Sequence, residues 1–156
     1  MPGRRELEAL IAADVRILSV ESERIGQTFA GRNELGANDF RALMHVMAAE
    51  DAEAPLTAGD LSRRMGISGA AITYLVERLI RSGHIRRESD PGDRRKVIVR
   101  YADHGMSVAR AFFTPLAGYN HAALAELPDS DLAAAHRVFT AVTAALRSFA
   151  DELDGG

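Results

Sequence analysis

Arginine and lysine are concentrated in the middle of the chain. Between Leu61 and Arg100 ten basic residues stand against four acidic ones, so this segment carries a formal charge of +6. The whole chain carries −3, and the remainder therefore carries −9. Guanidinium and ammonium groups bind phosphate oxygens, and such binding depends on the local charge of a face. The segment is therefore a candidate polyanion-binding surface, unless arginine is simply frequent throughout this chain.

The basic segment also predicts two short helices joined by a tight turn. Thr57 and Asp60 have the spacing of a capping box, and the helix that they begin ends at Gly66. Ser68 is placed to cap a second helix, which ends at Gly83. An apolar stripe at helical spacing marks the buried side of this second helix: Ile72, Leu75, Val76, Leu79 and Ile80. This arrangement is the helix–turn–helix pattern.

After Gly83 the pattern changes from a helix to a hairpin. Residues 84–88 and 96–101 predict two strands, and residues 89–93 supply the turn between them. A hairpin with a charged loop directly after the second helix is typical of a winged helix–turn–helix. We therefore expect the hairpin and the second helix to contact the same duplex.

Two arginines lie where the hairpin loop meets the second strand. A guanidinium group in a narrow minor groove is favoured by the negative potential there. We expect Arg94 to face DNA, and Arg95 either to brace the loop against Asp90 or Asp93 or to contact the DNA backbone.

The outward face of the second helix is expected to enter the major groove. Small residues at its start allow close approach, Thr73 can bond a base or a phosphate, and Tyr74 and Arg78 can reach phosphates. Glu77 and Arg81 are expected to form an i, i+4 surface pair. The predicted DNA-binding residues are Arg63, Ser68, Gly69, Ala70, Ala71, Thr73, Tyr74, Arg78, Arg94 and Arg95.

Two helices are predicted before this segment. The first is long and amphipathic and ends near Gly31. The second is capped by Asn38 and closes before Pro55, which cannot continue a helix. Its predicted buried side holds Phe40, Leu43, Met44 and Met47.

Two further helices are predicted after residue 103. Pro115 should kink or interrupt the first of them, and the last begins near Asp129. Seven apolar residues of the last helix alternate at spacings of three and four, as in a coiled-coil seam. We expect this stripe to form a dimer interface, the alternative being that it packs on its own domain: Leu132, Ala135, Phe139, Val142, Leu146, Phe149 and Leu153.

These residues resemble the MarR (multiple antibiotic resistance regulator) family of bacterial transcription factors over essentially the whole chain. The most specific match is the hairpin loop DPGDRR at 90–95, followed by KVIVRY and by the DHG that begins at Asp103. The helix pair, LSRRMGISGAAITYLVERLIRSGHIRR, is similar to that of the family in length and register. The start of its second helix is less polar than is common in the family, so shape readout carries more of the specificity.

The resemblance implies a mainly α (α+β) fold, a homodimeric winged helix–turn–helix. We expect one domain over 1–156, with the DNA-binding lobe at 38–102 and a helical dimerisation region from 1–30 and 103–154. The dimer would bind double-stranded DNA at a short palindrome, and many members of the family release DNA when a small aromatic or phenolic ligand binds. The expected dimer contacts are Leu7, Leu10, Ile11, Leu132, Phe139, Val142, Leu146 and Phe149.

A pocket for such a ligand is expected where the first, second and fifth helices meet the DNA-binding lobe. Its candidate lining residues are equally typical of a plain apolar core: Phe29, Met44, His45, Met47, Phe112 and Phe113. Five histidines are scattered without ligand spacing, and the chain has no cysteine, so neither a metal nor a cofactor is expected.

The sequence therefore favours a ligand-responsive transcriptional regulator, a repressor, over two other classes. One alternative is a winged-helix module that contacts proteins and no longer binds DNA, although the retained arginine cluster argues against it. An enzyme is not expected, because neither a phosphate-binding loop nor a nucleophile motif is present. Without a membrane-length apolar run, a signal-peptide core or cysteine, the chain is expected in the cytoplasm.

Overall fold

The computed structural model describes all residues, 1–156, and is mainly helical with one small antiparallel sheet. This confirms the predicted winged-helix fold class. Two compact units divide the chain, Met1–Phe112 and Phe113–Gly156, and the boundary falls inside the fifth helix. The elements are α1 (Arg4–Arg32), α2 (Ala37–Asp51), β1 (Leu56–Thr57), α3 (Ala58–Met65), α4 (Gly69–Arg81), β2 (Ile85–Ser89), β3 (Val97–Tyr101), α5 (Asp103–Leu124) and α6 (Asp129–Gly155).

The N-terminal helix α1 is buried only near its C-terminal end, at Gly26, Phe29 and Ala30. Its apolar residues before that point are exposed or half-buried in the single chain. The predicted end near Gly31 agrees with the observed last residue, Arg32.

The start and the phase of α2 differ from the prediction. Gly36 is the N-cap, and its backbone N–H donates to Asp39 Oδ2 at 2.9 Å, so the expected cap at Asn38 is wrong. Met44 was expected on the buried side but is 40% exposed. Besides Leu43, the helix buries three smaller apolar residues: Ala42, Val46 and Ala49. These residues determine which face of the helix turns inward.

The helix–turn–helix forms as the capping residues predict. Thr57 N–H donates to Asp60 Oδ2 at 2.9 Å and Asp60 N–H donates to Thr57 Oγ1 at 3.1 Å, which completes the capping box of α3. Gly66 ends α3 in the left-handed region at φ 65°, and Ser68 Oγ accepts from the N–H of Ala71 to cap α4. Local hydrogen bonds therefore hold the turn between the helices.

The sheet has the strand order β1-β3-β2, with both pairs antiparallel. The hairpin strands β2 and β3 were predicted, but β1 was not, because two residues are too short to show a pattern. Leu56 of β1 pairs with Val99, and both side chains are buried. Tyr101 ties the sheet to α2, since its hydroxyl donates to the Leu43 carbonyl at 3.0 Å and its N–H donates to Glu50 Oε1 at 2.9 Å.

The last two helices have few buried side chains. Pro115 lies inside an α5 that continues from Asp103 to Leu124, so the proline does not interrupt it. Helix α6 begins at Asp129, as predicted, and none of its residues is buried in the single chain. No helix is both long and apolar enough to span a bilayer.

Candidate nucleic-acid interface

One side of α4 is buried and the other is exposed along its first two turns. Ile72, Leu75 and Val76 are at most 3% exposed, whereas the predicted contact residues on the other side are exposed: Ser68, Gly69, Ala70, Ala71, Thr73 and Tyr74. The apolar stripe therefore turns the helix as predicted. The side chains expected to meet DNA lie on a single outward face.

Two of the three hydroxyl groups on this face, those of Ser68 and Thr73, already make one hydrogen bond each within the helix. Thr73 Oγ1 donates to the Gly69 carbonyl at 2.9 Å, and Ser68 Oγ accepts from the Ala71 N–H at 3.2 Å. A hydroxyl has one donor and two acceptor sites. Ser68 can therefore still donate to a phosphate or a base, while Thr73 can still accept.

The hairpin loop, residues 90–96, is held by aspartate carboxylates on backbone N–H groups. Asp90 Oδ1 accepts from Gly92 N–H at 2.7 Å and from Asp93 N–H at 3.1 Å. Asp93 Oδ1 accepts from the backbone N–H of Arg95 at 3.0 Å. The loop is thus shaped by short-range turn bonds of the kind that Asp favours.

Neither Arg94 nor Arg95 forms an ion pair, and both are exposed. The expectation that the Arg95 guanidinium braces the loop against Asp90 or Asp93 is therefore wrong. Those carboxylates are occupied by backbone donors, so both guanidinium groups remain available to an outside anion.

Half of the basic residues between 61 and 100 are already paired with an acid of the same chain. Arg63 pairs with Asp60, Arg86 and Arg100 pair with Glu88, and Arg87 and Arg78 are also paired. Pairing reduces the charge that such a residue offers to a ligand. The residues without an acidic partner are Arg64, Arg81, Arg94, Arg95 and Lys96, of which sequence reasoning had selected only Arg94 and Arg95 as contacts.

The pairing of Glu77 differs from the expectation. Its carboxylate contacts Arg87 of β2 at 2.7 Å rather than Arg81, its neighbour one turn along α4. The hairpin places Arg87 beside α4, a proximity that spacing along one helix cannot reveal. Arg81 is therefore left without an acidic partner.

Arg78, a predicted phosphate contact, forms an ion pair with Asp39 at the start of α2. The hydrogen bond to Asp39 raises the pKa of the Arg78 guanidinium further above its ordinary value. The guanidinium carbon also lies 5.5 Å from the ring centre of Tyr74, which is 65% exposed. Sequence spacing gave no sign of this pair, because the partners are 39 residues apart.

Lys96, at the end of the hairpin loop, lies near the start of α3. Burial pushes the pKa of Asp60 up, but hydrogen bonds from Thr57 and the charges of Arg63 and Lys96 bring the pKa below its ordinary value. The charge of Lys96 in the hairpin loop thus acts on the first turn of α3.

The residues predicted for a ligand pocket do not all come together. Phe29 is buried, and its ring centre lies 5.0 Å from that of Phe112 and 5.6 Å from that of Phe40. Met44, in contrast, is 40% exposed. Within the first unit, the contact of Phe29 with Phe112 therefore agrees with the predicted set, while Met44 does not lie in the core.

His45 and Met47, from the same predicted set, are half-buried on α2. Burial lowers the pKa of His45, and the positive charges of Arg64 and Arg41 lower it further. His45 is therefore favoured in its neutral form at physiological pH. The structure brings together no group of three or more His, Asp or Glu side chains able to hold a metal ion.

The predicted dimer contacts are apolar side chains that the single chain leaves in water. Leu7, Leu10 and Phe139 are 44%, 52% and 50% exposed, while Ile11, Leu132 and Val142 are half-buried. Leu146 and Phe149 are 57% and 59% exposed. In the single chain, α1 and α6 thus each have a stripe of apolar side chains that are exposed or half-buried.

A model of the MarR family matches residues 34–96, the segment from α2 to the end of the hairpin loop. The chain is also similar to YcgE of Bacillus subtilis (strain 168), an uncharacterized HTH-type transcriptional regulator. The two are 39% identical over 62 residues, which is 40% of each chain. The present chain therefore matches less than half the length of this relative.

Solved structures with the same fold include MepR of S. aureus. A mutant of MepR from a multidrug-resistant clinical isolate has a TM-score of 0.69 at 17% identity, over 87% of this chain and 96% of that one. MepR in complex with DNA has a TM-score of 0.53 at 18% identity, over 84% and 96%.

A MarR family protein from Bacillus stearothermophilus has a TM-score of 0.63 at 18% identity, covering 94% of this chain and 99% of its own. At such identities the structural likeness establishes the fold, and the sequence match to the family lies in the turn-linked helices and the hairpin. Through those residues, 34–96, this chain is similar to the MarR family of transcriptional regulators.

Proposed function

We propose that this chain is a homodimeric repressor of transcription that binds a palindromic operator in double-stranded DNA and leaves it when a small aromatic ligand binds. One observation is the main support for the proposed DNA binding. The outward face of α4 is exposed beside a hairpin whose Arg94 and Arg95 have no acidic partner. Guanidinium groups that are free in the unbound protein can neutralise phosphates without first breaking an internal ion pair.

Steric features of α4 support entry into the major groove. Its first turn consists of Gly69, Ala70 and Ala71, all exposed, so the helix backbone can approach base edges closely. Ala methyl groups can contact the methyl group of thymine. The fold of MepR, which has been solved in complex with DNA, is consistent with this use of the helix.

The homodimer is supported by the uncovered apolar stripes of α1 and α6. A soluble protein seldom leaves so many large apolar side chains in water unless a partner covers them. In a symmetric dimer each surface meets its own copy, and the operator then takes on the same two-fold symmetry. The two α4 helices would lie about 34 Å apart and meet successive major grooves.

Two aromatic contacts in the first unit support the binding of an aromatic ligand. The aromatic rings of Phe29 and Phe112 contact each other in the first unit, and Arg32 lies 5.7 Å from the Phe112 ring centre. An aromatic ligand could stack in such surroundings. Such a regulator would work in the cytoplasm, with no membrane partner and no cofactor.

The test is a binding titration of the protein with the DNA upstream of its own gene, against a scrambled duplex, at several salt concentrations. If Arg94, Arg95 and Lys96 of each subunit bind one phosphate each, about six phosphates are neutralised. The logarithm of the binding constant should then fall against the logarithm of salt with a slope near −5, at about −0.9 for each phosphate.

A flat salt response, or equal affinity for the scrambled duplex, would contradict sequence-specific binding through this surface. Absence of binding even at low salt would favour the alternative, a winged-helix module that contacts proteins. Titrating the preformed complex with benzoate, as a plain aromatic probe, tests the ligand part separately by release of the DNA.

A further inference from the structure

We propose that Arg78 is a positioning residue rather than a phosphate ligand: its ion pair with Asp39 fixes the DNA-reading helix α4 on the first turn of α2. The inference rests on the proposed function, because it concerns how α4 is held for DNA.

The Asp39 carboxylate is buried and both of its oxygens are used. Its side chain is 6% exposed. Oδ2 accepts the backbone N–H of Gly36 at 2.9 Å, which caps α2, and Oδ1 accepts from Arg78 Nη2. A carboxylate withdrawn from water requires such partners, because its desolvation is otherwise uncompensated. Arg78 is the one cation paired with this carboxylate.

Arg78 is held on a second side by the ring of Tyr74, one turn earlier on α4, at 5.5 Å from the ring centre. Its side chain is 43% exposed, compared with 6% for that of Asp39. A phosphate at Arg78 would therefore compete with a buried carboxylate that has no other cation paired with it. The guanidinium is already engaged before DNA arrives.

The directional character of the pair gives it a role that apolar packing cannot fill. The stripe that includes Leu75 and Leu79 buries one side of α4, but such contacts tolerate small sliding and rotation of the helix. A charge-assisted hydrogen bond demands a particular donor position. Arg78 therefore fixes both the position of α4 along its axis and the rotation of α4 about that axis.

The first turn of α2 is itself packed on α1. A Cβ built at Gly26 of α1 would stand 2.6 Å from Cζ of Phe40 and closer still to Cε1, so α1 and α2 touch with no room between them. Phe40 also contacts the ring of Phe29. Asp39 lies beside Phe40 in this fixed turn, and Arg78 thereby anchors α4 to the α1–α2 junction.

The experiment compares operator affinity and its salt dependence for Arg78→Gln, Asp39→Asn, the double variant and Arg78→Lys. Arg81→Gln is the matched control, because Arg81 is on the same helix, exposed and without an acidic partner. All proteins are measured well below their melting temperatures, with folding checked by circular dichroism.

If Arg78 is a positioning residue, Arg78→Gln and Asp39→Asn should both weaken binding, by roughly 2- to 30-fold, with an unchanged salt slope. The double variant should bind at least as well as either single variant, because two neutral amides can hydrogen bond to each other. Arg78→Lys should also weaken binding, since an ammonium group does not reproduce the planar fork of Arg.

If Arg78 is a phosphate ligand, the expected changes in operator affinity and salt slope are different. Asp39→Asn would free the guanidinium and tighten binding, Arg78→Lys would bind almost normally, and Arg78→Gln would reduce the salt slope by about two for a dimer. Any of these three results overturns the inference.

A measurement without DNA separates this inference from the proposed function. Amide hydrogen exchange in the last turns of α4 should become faster in Arg78→Gln and Asp39→Asn but not in Arg81→Gln. Unchanged exchange in the first two variants contradicts the positioning role even if the protein binds DNA. If exchange rises but the wild-type protein binds no duplex, the proposed function fails and the anchoring role of Arg78 stands.

Discussion

Gly105, in the first turn of α5, lies directly on the backbone of His84, the residue before the hairpin. A Cβ at position 105 would stand 2.7 Å from the His84 Cα and closer still to its carbonyl oxygen. The same carbonyl accepts the N–H of Ala102 at 3.0 Å, and Gly105 N–H donates to the Gly83 carbonyl at 3.1 Å. The base of the hairpin is therefore held against the start of α5 by backbone contacts that leave no space for a side chain.

Gly105→Ala should destabilise the protein. The added methyl group meets backbone rather than a movable side chain, so the hairpin base or α5 must shift, at a cost of about 1–3 kcal/mol. Chemical denaturation measures the change in the free energy of unfolding. Gly118→Ala is the control in the same helix, where a Cβ meets nothing within 4 Å, and Ala there should stabilise by about 0.5–1 kcal/mol. Equal effects of the two changes would contradict the close approach.

Arg94→Ala should weaken operator binding while leaving the fold and the dimer intact. Its guanidinium has no partner in the protein, so its removal costs DNA contacts only. We expect a loss of roughly tenfold in affinity, about 1.4 kcal/mol, and a salt slope less steep by about two for the dimer. Anisotropy titration at several salt concentrations gives both values.

The matched control for Arg94 is Arg86→Ala in the same hairpin. Arg86 is paired with Glu88, and that pairing lowers the pKa of the Glu88 carboxyl. Because its charge is already compensated within the chain, its loss should change the salt slope little. If Arg86→Ala and Arg94→Ala have the same effect, the division into paired and free arginines does not govern binding.

Phe139→Glu should abolish the dimer. Phe139 is 50% exposed at the centre of the apolar stripe of α6, and a charge placed there in an interface would be buried without a partner. Sedimentation velocity should show a monomer, with helical content checked by circular dichroism. Ala144→Glu, on the opposite side of α6 and exposed, should remain a dimer. A stable dimer of Phe139→Glu would place the interface elsewhere.

The stability of the protein should fall as the pH decreases below about 6.5, and His84 should contribute to this. Burial lowers the pKa of His84 and the nearby His104 lowers it further, against a smaller opposing effect of Asp39. A group whose pKa is lower in the folded state binds fewer protons there. Its contribution is complete above the pKa of the unfolded state and is lost as pH falls through the lower folded pKa.

The check is a series of denaturation curves between pH 7.5 and pH 5, values chosen on either side of the ordinary pKa of histidine, about 6.5. His84→Asn keeps a polar atom near the position of Nδ1, which lies 2.8 Å from Ser82 Oγ, but does not titrate. This variant should show a shallower pH dependence than the wild-type protein. His136→Asn, at an exposed position, should not. Parallel curves for wild type and His84→Asn would contradict the assignment.

Local signals in the sequence were sufficient for much of the helix–turn–helix and the hairpin. The capping box at Thr57, the cap at Ser68 and the apolar stripe of α4 act over three to eight residues, so they can be recognised without a structure. The hairpin was predicted for the same reason, from turn residues between two alternating runs. Its DNA contacts, including Arg94, and the dimer stripe of α6 stay predictions.

Other features depended on residues that are distant in sequence. Strand β1 forms only because Leu56 pairs with Val99 of β3. Met44 faces outward because smaller buried residues determine which face of α2 turns inward. Both departures from prediction have one cause, which is that tertiary packing overrides a weak local pattern.

The charges show most clearly the difference between local and long-range information. The strongly basic character of residues 61–100 and the outward face of α4 can be predicted from the sequence, since composition and helical period are properties of the chain alone. Which arginines are free depends on how the helices and the hairpin pack. Glu77 reaches Arg87 across the hairpin and Asp39 reaches Arg78 from another helix, because an ion pair forms between groups close in space, whatever their separation along the chain.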